Sequence, residues 1–121
     1  MRSLILLGLM VATPAAAADQ FDLVCSAKKV SERYRVDLTS GEYCTAECKT
    51  VRKIQEVTTG VIVFQRTEPK VRRDPRILDQ VNRTTGEWFS SNYFPGIDLV
   101  PDMKQGTCQS APFSGFPASK F

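Results

Sequence analysis

The sequence predicts a mostly β, antiparallel single domain: a small barrel or curled sheet of six to eight strands, with two disulfides and little helix. Three observations carry this prediction. Short runs alternate apolar and polar residues, with turn residues between them. The cysteines number four, an even set. The chain also opens on an export signal, which would place those cysteines in an oxidising space.

The signal is read from Met1-Arg2-Ser3, the apolar run Leu4–Val11, a breaker at Pro14 and the small residues Ala15–Ala18. One positive charge, a short apolar stretch and small residues at a cleavage point form a secretory leader. Eight apolar residues would span about 12 Å as a helix, against roughly 30 Å of hydrocarbon, so no transmembrane anchor is expected. The predicted organisation is therefore a signal peptide over 1–18 and one disulfide-stabilised β domain over 19–121. The compartment is periplasmic or secreted, and bacterial in character.

Along the domain, Phe21, Leu23 and Cys25 alternate with Gln20, Asp22 and Val24, which predicts a strand with Asp22 on its wet face. Tyr34, Val36 and Leu38 alternate with Arg33, Arg35 and Asp37 in the same way. Val61-Ile62-Val63-Phe64, bounded by Thr59-Gly60 and Pro69, is the expected central strand. Ile77–Asn82 and Glu87–Ser90 form a further pair. Val51, Ile54 and Val57 lie three apart, which suits a short helix or an irregular strand, and any helix is expected within Cys44–Val57. The stretches 69–75 and 92–106 carry Pro, Gly and charge and read as loops. The tail 111–117 cannot be regular, and its Phe113 and Phe116 are expected to fold back beside Cys108.

One internal echo is visible. Arg35-Val-Asp-Leu-Thr-Ser-Gly-Glu-Tyr43 matches Gln80-Val-Asn-Arg-Thr-Thr-Gly-Glu-Trp88. Each reads as a hairpin, with Gly41 or Gly86 at positive φ and Asp37 or Asn82 bonding local amides. A good turn sequence used twice explains it, with a duplicated half-barrel as the alternative.

Four cysteines allow three connectivities. Cys25–Cys108 with Cys44–Cys48 is the predicted set. The first joins the ends of the domain and is worth roughly 4.5 kcal/mol in the chain-entropy model, the second about 2 kcal/mol. Cys44-Thr-Ala-Glu-Cys48 has three intervening residues, not the two of a redox dithiol, and zinc would need all four thiolates.

The composition narrows the chemistry. The formal charge is +3, one unit of which is Arg2 of the leader, which is too mild to argue for nucleic acid. Histidine is absent, removing the commonest general base and neutral metal ligand. No cofactor motif is present. Ser90, Ser91 and Ser114 therefore lack a triad partner. Glu42, Glu87, Asp37 and Asp79 could supply an acid/base pair only inside a partly apolar cleft, and are expected at the surface. Asn82-Arg83-Thr84 is a formal glycosylation sequon, of little weight in a bacterial protein. Arg66, Lys70, Arg72, Arg73 and Arg76 form a basic cluster diluted by Glu68 and Asp74. It reads as a solvated loop, or as a site for phosphate, a lipid headgroup or an acidic protein face.

The blocks Phe-Asp-Leu-Val-Cys25, Tyr-Arg-Val-Asp-Leu38, Tyr43-Cys44 to Cys48, Val-Asn-Arg-Thr-Thr-Gly-Glu87 and Gly106-Thr-Cys108 through Phe-Ser-Gly-Phe-Pro117 resemble a group of small exported alphaproteobacterial proteins with four cysteines. That resemblance implies export and brings no catalytic residues and no family function. In architecture the domain is also similar to the periplasmic and membrane-bound inhibitors of C-type lysozyme, without their Ser- and Gly-containing active loop.

By elimination, the expected function is a non-catalytic binding module that recognises a protein or envelope component. A lysozyme-inhibitor-like protein is the alternative, followed by a carboxylate-dependent hydrolase or a structural envelope protein. The densest aromatic patch, Trp88, Phe89, Tyr93 and Phe94, lies near the basic loop Lys70–Arg76. The expected partner-binding residues are Arg72, Arg73, Tyr93 and Phe94, with Trp88 turned either to the partner or to the core.

Overall fold

The computed structural model describes residues 18–118. The expected leader lies outside them, apart from Ala18. Nine strands are present among the described residues, all antiparallel to their neighbours: β1 (Gln20–Ala27), β2 (Val30–Asp37), β3 (Glu42–Thr45), β4 (Arg52–Lys53), β5 (Glu56–Val57), β6 (Val61–Arg66), β7 (Arg76–Asn82), β8 (Glu87–Tyr93) and β9 (Asp102–Ala111). Their order is β4-β3-β2-β1-β9-β8-β7-β6-β5. The sheet is thus an up-and-down meander, with β1 and β9 paired at its centre.

The sheet curls until the chain itself joins its two edges. β4 lies on β3 and β5 lies on β6, with only Ile54 and Gln55 between them. The Ile54 amide donates to the Gly41 carbonyl at 2.8 Å, and the Gln55 amide donates to the Val63 carbonyl at 3.0 Å. One bent segment therefore bonds to both edges and leaves little open edge for another chain to pair with. This segment was the expected place for helix. Among the described residues there is none, because its amides are used by the flanking strands.

The interior is layered by strand register. Ile62, Val81, Trp88 and Gly106 pair in sequence across β6, β7, β8 and β9. Tyr34 from β2 reaches across and stacks on Phe64, with ring centroids 4.5 Å apart, and meets Trp88 edge-on at 6.3 Å. Leu23, Cys25, Val36 and Tyr43 complete the buried cluster. Gly106 is required by close approach: a Cβ there would sit 1.9 Å from the Ser26 carbonyl oxygen.

Both predicted disulfides are present. Cys25 and Cys108 are register partners on β1 and β9, so their bond clamps the central pair of the sheet. Cys44–Cys48 closes a short loop after β3. Both fit an oxidising, extracytoplasmic compartment.

The two echoed hairpins have the predicted chemistry. Asp37 Oδ1 accepts from the amides of Thr39 and Ser40, and Asn82 Oδ1 from those of Thr84 and Thr85. Gly41 and Gly86 have φ of 69° and 77°. Three further expectations need correction. Val61–Phe64 is buried but lies second from the end of the sheet order, not at its centre. The long loop expected over 92–106 shrinks to 94–101, because backbone pairing with β8 carries Asp102–Gln105 into β9 despite their polarity.

Asp22, expected on a wet face, is completely buried. It is covered by the tail, whose Ser114 hydroxyl and amide donate to it at 2.6 and 3.1 Å, beside Arg33 Nε at 2.6 Å. Burial by itself raises the pKa of Asp22, but the Ser114 and Arg33 bonds outweigh it and hold the carboxyl below the usual range. The tail does fold back, with Phe113 and Phe116 packed edge to face at 5.3 Å. Its polar attachments run to β1 and β2, where Arg35 donates to the Gly115 carbonyl at 2.9 Å.

Candidate functional site

Register places three hairpin loops and the start of β1 at one end of the barrel. The loops 46–51, 67–75 and 94–101 gather at the other. This second, upper end carries two adjacent arrangements, one outside the barrel wall and one inside it.

The outer arrangement is built on the pair Arg76↔Tyr93, the last rung of β7 and β8. Arg72, Arg73, Arg76 and Tyr93 line a shallow pocket of about 550 Å³ with Pro95 and Gly96. Three of the four expected recognition residues, Arg72, Arg73 and Tyr93, are thus brought together. Phe94 follows Tyr93 and is exposed, outside the pocket lining. Trp88 is fully buried and takes no part. Asp74 Oδ2 accepts from the amides of Lys70 and Val71, and those bonds hold its pKa below the usual value. Asp98 Oδ2 accepts from the Phe94 amide at 3.0 Å. These two carboxylates fix the shape of their own loops. Arg66 turns away to Glu56 at 3.1 Å and leaves the cluster.

Beyond the pocket the loop 94–101 presents Ile97, Leu99 and Val100, which are 84%, 98% and 72% exposed. Val71 and Met103 are exposed as well. Composition did not single out these aliphatics. Their signal was an apolar triplet spaced around Asp98 in a segment with no alternation to bury it.

The inner arrangement is a polar cup of about 590 Å³ in the barrel mouth. One layer above the Trp88 row, Gln65, Asp79, Ser90 and Lys104 pair in sequence across β6–β9. Asp79 sits at the floor. The Tyr34 hydroxyl donates to its Oδ1 at 2.8 Å, and the Trp88 indole N–H donates to the Tyr34 oxygen at 3.1 Å and to Asp79 Oδ1 at 3.4 Å. Burial pushes the Asp79 carboxyl up to about 6, against these hydrogen bonds and the Lys104 charge, and with help from Glu32. Burial also raises Tyr34 well above its ordinary value, reinforced by the Asp79 charge.

Asp79 was expected at the surface. It is half-buried, because Ile77, Asp79 and Val81 share one face of β7. The other carboxylates of the expected acid/base set do not join it: Asp37 is used in its hairpin, and Glu42 and Glu87 flank the lower hairpins. Ser90 is in the cup, whereas Ser114 is bonded to Asp22. Among the described residues no group of three His, Cys, Asp or Glu is gathered to hold a metal ion, and no helix is long and apolar enough to cross a membrane.

Compared with family models, curated proteins and solved structures, the chain matches none.

Proposed function

We propose that this chain is an exported binding module, periplasmic or secreted, that docks on an anionic lipid surface of the cell envelope through its upper loop edge. The observation that carries the reading is the nearly complete exposure of Ile97, Leu99 and Val100 beside a pocket of three arginines. Burying one such aliphatic side chain contributes about 1.5–3 kcal/mol. Each arginine near an anionic membrane contributes about 1 kcal/mol. Together these terms can bind a surface, and the rigid loops lower the entropic cost. Such a surface supplies both an apolar layer and negative charge, which the two features require side by side.

A second reading is an acidic protein face. Tyr93 set among three arginines favours it, since Tyr and Arg dominate protein hot spots. Co-sedimentation separates the two. The mature chain is mixed with phosphatidylglycerol vesicles and with phosphatidylcholine vesicles. Salt-sensitive binding to the first alone, lost in a Leu99→Ser/Val100→Ser variant, supports the lipid reading. No binding to phosphatidylglycerol overturns it and leaves the protein face.

A further inference from the structure

We infer that the barrel mouth is a second binding site, one that takes a short, uncharged saccharide. It lies inside the wall whose outer side carries the arginine pocket, and it is independent of lipid docking. Its central row of polar residues is set by strand register, and the loop 46–51 adds Glu47, Lys49 and Thr50 at the rim. Gln65, Asp79, Ser90 and Lys104 face the same interior on four consecutive strands. At about 4.8 Å per strand they extend over roughly 14 Å of wall, the reach of a short saccharide and more than an inorganic anion needs.

The row alternates in hydrogen-bonding capacity. The amide of Gln65 and the hydroxyl of Ser90 both donate and accept, the Asp79 carboxylate accepts, and Lys104 donates. A sugar hydroxyl does both, so successive hydroxyls can answer every member. Charge points the same way. Glu32, Glu47 and Asp79 are matched around the cup by Lys49, Arg52 and Lys104, so neither a cation nor an anion gains net attraction. The volume lies within the range of small-molecule sites.

Two further features mark the mouth as built. Asp79 is oriented from below by Tyr34 and Trp88, which leaves its upper side to the cup. The rim loop closed by Cys44–Cys48 holds Ala46 and Cys48 at φ of 52° and 56°. Non-glycine residues pay for this conformation, and such strain gathers at binding sites.

The single tryptophan is bonded to Asp79, so occupancy of the cup should alter its emission. The mature chain is titrated with cellobiose, maltose and N,N′-diacetylchitobiose, followed by Trp88 fluorescence and by calorimetry, with triglycine and inorganic phosphate as charged controls. The expected result is a saturable response to at least one disaccharide and none to the controls. Gln65→Ala and Lys104→Ala should each weaken it about tenfold while leaving Tm unchanged. Silence toward all three disaccharides by both methods overturns the inference. So does a response to triglycine or phosphate alone, or unaltered affinity in both variants. Vesicle binding by either variant should equal that of the parent chain, which separates this site from the loop edge.

Discussion

At the lower end of the barrel Asp37 and Asn82 close their own turns, whereas at the upper end arginines and aliphatic side chains are left facing outward. Asp37 and Asn82 spend their side chains on the two amides that follow within three residues. Arg83 binds the Thr58 carbonyl at 2.7 Å and ties two lower hairpins together. The upper loops also hold themselves, through Asp74 and Asp98, yet present Leu99, Val100 and three arginines to solvent. The polar side chains of these lower hairpins are therefore accounted for by the turns they close. The upper end carries surface that folding does not require, and function is argued from that surplus.

The largest test of the contrast concerns the two disulfides. Cys25–Cys108 clamps the waist that both ends share, and Cys25→Ala/Cys108→Ala should cost about 2–5 kcal/mol. Cys44→Ala/Cys48→Ala frees only the upper rim. It should cost less, since it closes a short loop and its removal relaxes Ala46 and Cys48. Thermal melts of the two variants check the order. An equal or larger loss from the rim pair would show that the upper end supports the fold.

How much of this was legible in the sequence depends on the range of the interaction. The hairpins and the strands were readable because turn chemistry and alternation act within a few residues, and the waist disulfide, which spans 83 residues, from the even cysteine count in an exported chain. Asp79 was readable in principle, being in phase with Ile77 and Val81, but its partners Tyr34 and Trp88 come from other strands. Asp22 carried no local signal at all. Its cover, Ser114, lies 92 residues away, and alternation alone puts it in water. The bent β4–β5 segment stayed open between a short helix and an irregular strand because a three-residue apolar spacing cannot report that two different strands take its amides. Arg72, Arg73 and Tyr93 were found together because their segments flank the predicted hairpin, although the rung beneath them, Arg76↔Tyr93, lies in stretches expected to be loop.

The next effect is a pH dependence confined to the upper end. Asp79 is pushed up to about 6 in the folded protein, from an ordinary value of 3.8. A raised carboxyl binds more protons in the folded state, so its ionisation opposes folding. That penalty is complete above about pH 6 and is relieved as pH falls toward 4. Asp22 has the opposite sign: its stabilisation is present above its unfolded pKa and is lost as pH falls through its lowered folded value. Stability should therefore rise slightly from pH 7 to about 4.5 and fall below 3.8. In Asp79→Asn the first change should vanish and the acid loss should remain. Melts across pH 3–8 give both curves, and a persistent rise in the variant would assign it to another group.

A smaller effect measures how far the lower end is only structural. Asp37→Ala removes two short-range hydrogen bonds and the one from Gln20, Asn82→Ala removes two, and each should cost about 1 kcal/mol. The sites share no partner, so the double variant should lose their sum within about 0.5 kcal/mol. Denaturant titration reads this directly, and vesicle binding should be untouched.

The smallest stability effect belongs to the upper edge, where it is the most informative. Arg72, Arg73 and Phe94 are exposed and Tyr93 is only partly covered. None of the four side chains donates or accepts a hydrogen bond that holds strands together: the loop contacts here run through Asp74 and Asp98 to backbone amides. Surface substitutions away from such contacts usually stay within about 0.5 kcal/mol. Replacing all four by alanine should leave Tm within a few degrees, with Tyr93 the main contributor. The same variant should lose most of its binding to phosphatidylglycerol vesicles, since it removes two charges worth about 1 kcal/mol each together with two aromatic rings beside the aliphatic tip. A large fall in Tm would mean that these residues brace the β8–β9 loop. An unchanged Tm with unchanged binding would leave Ile97, Leu99 and Val100 as the whole contact and remove the arginine pocket from it.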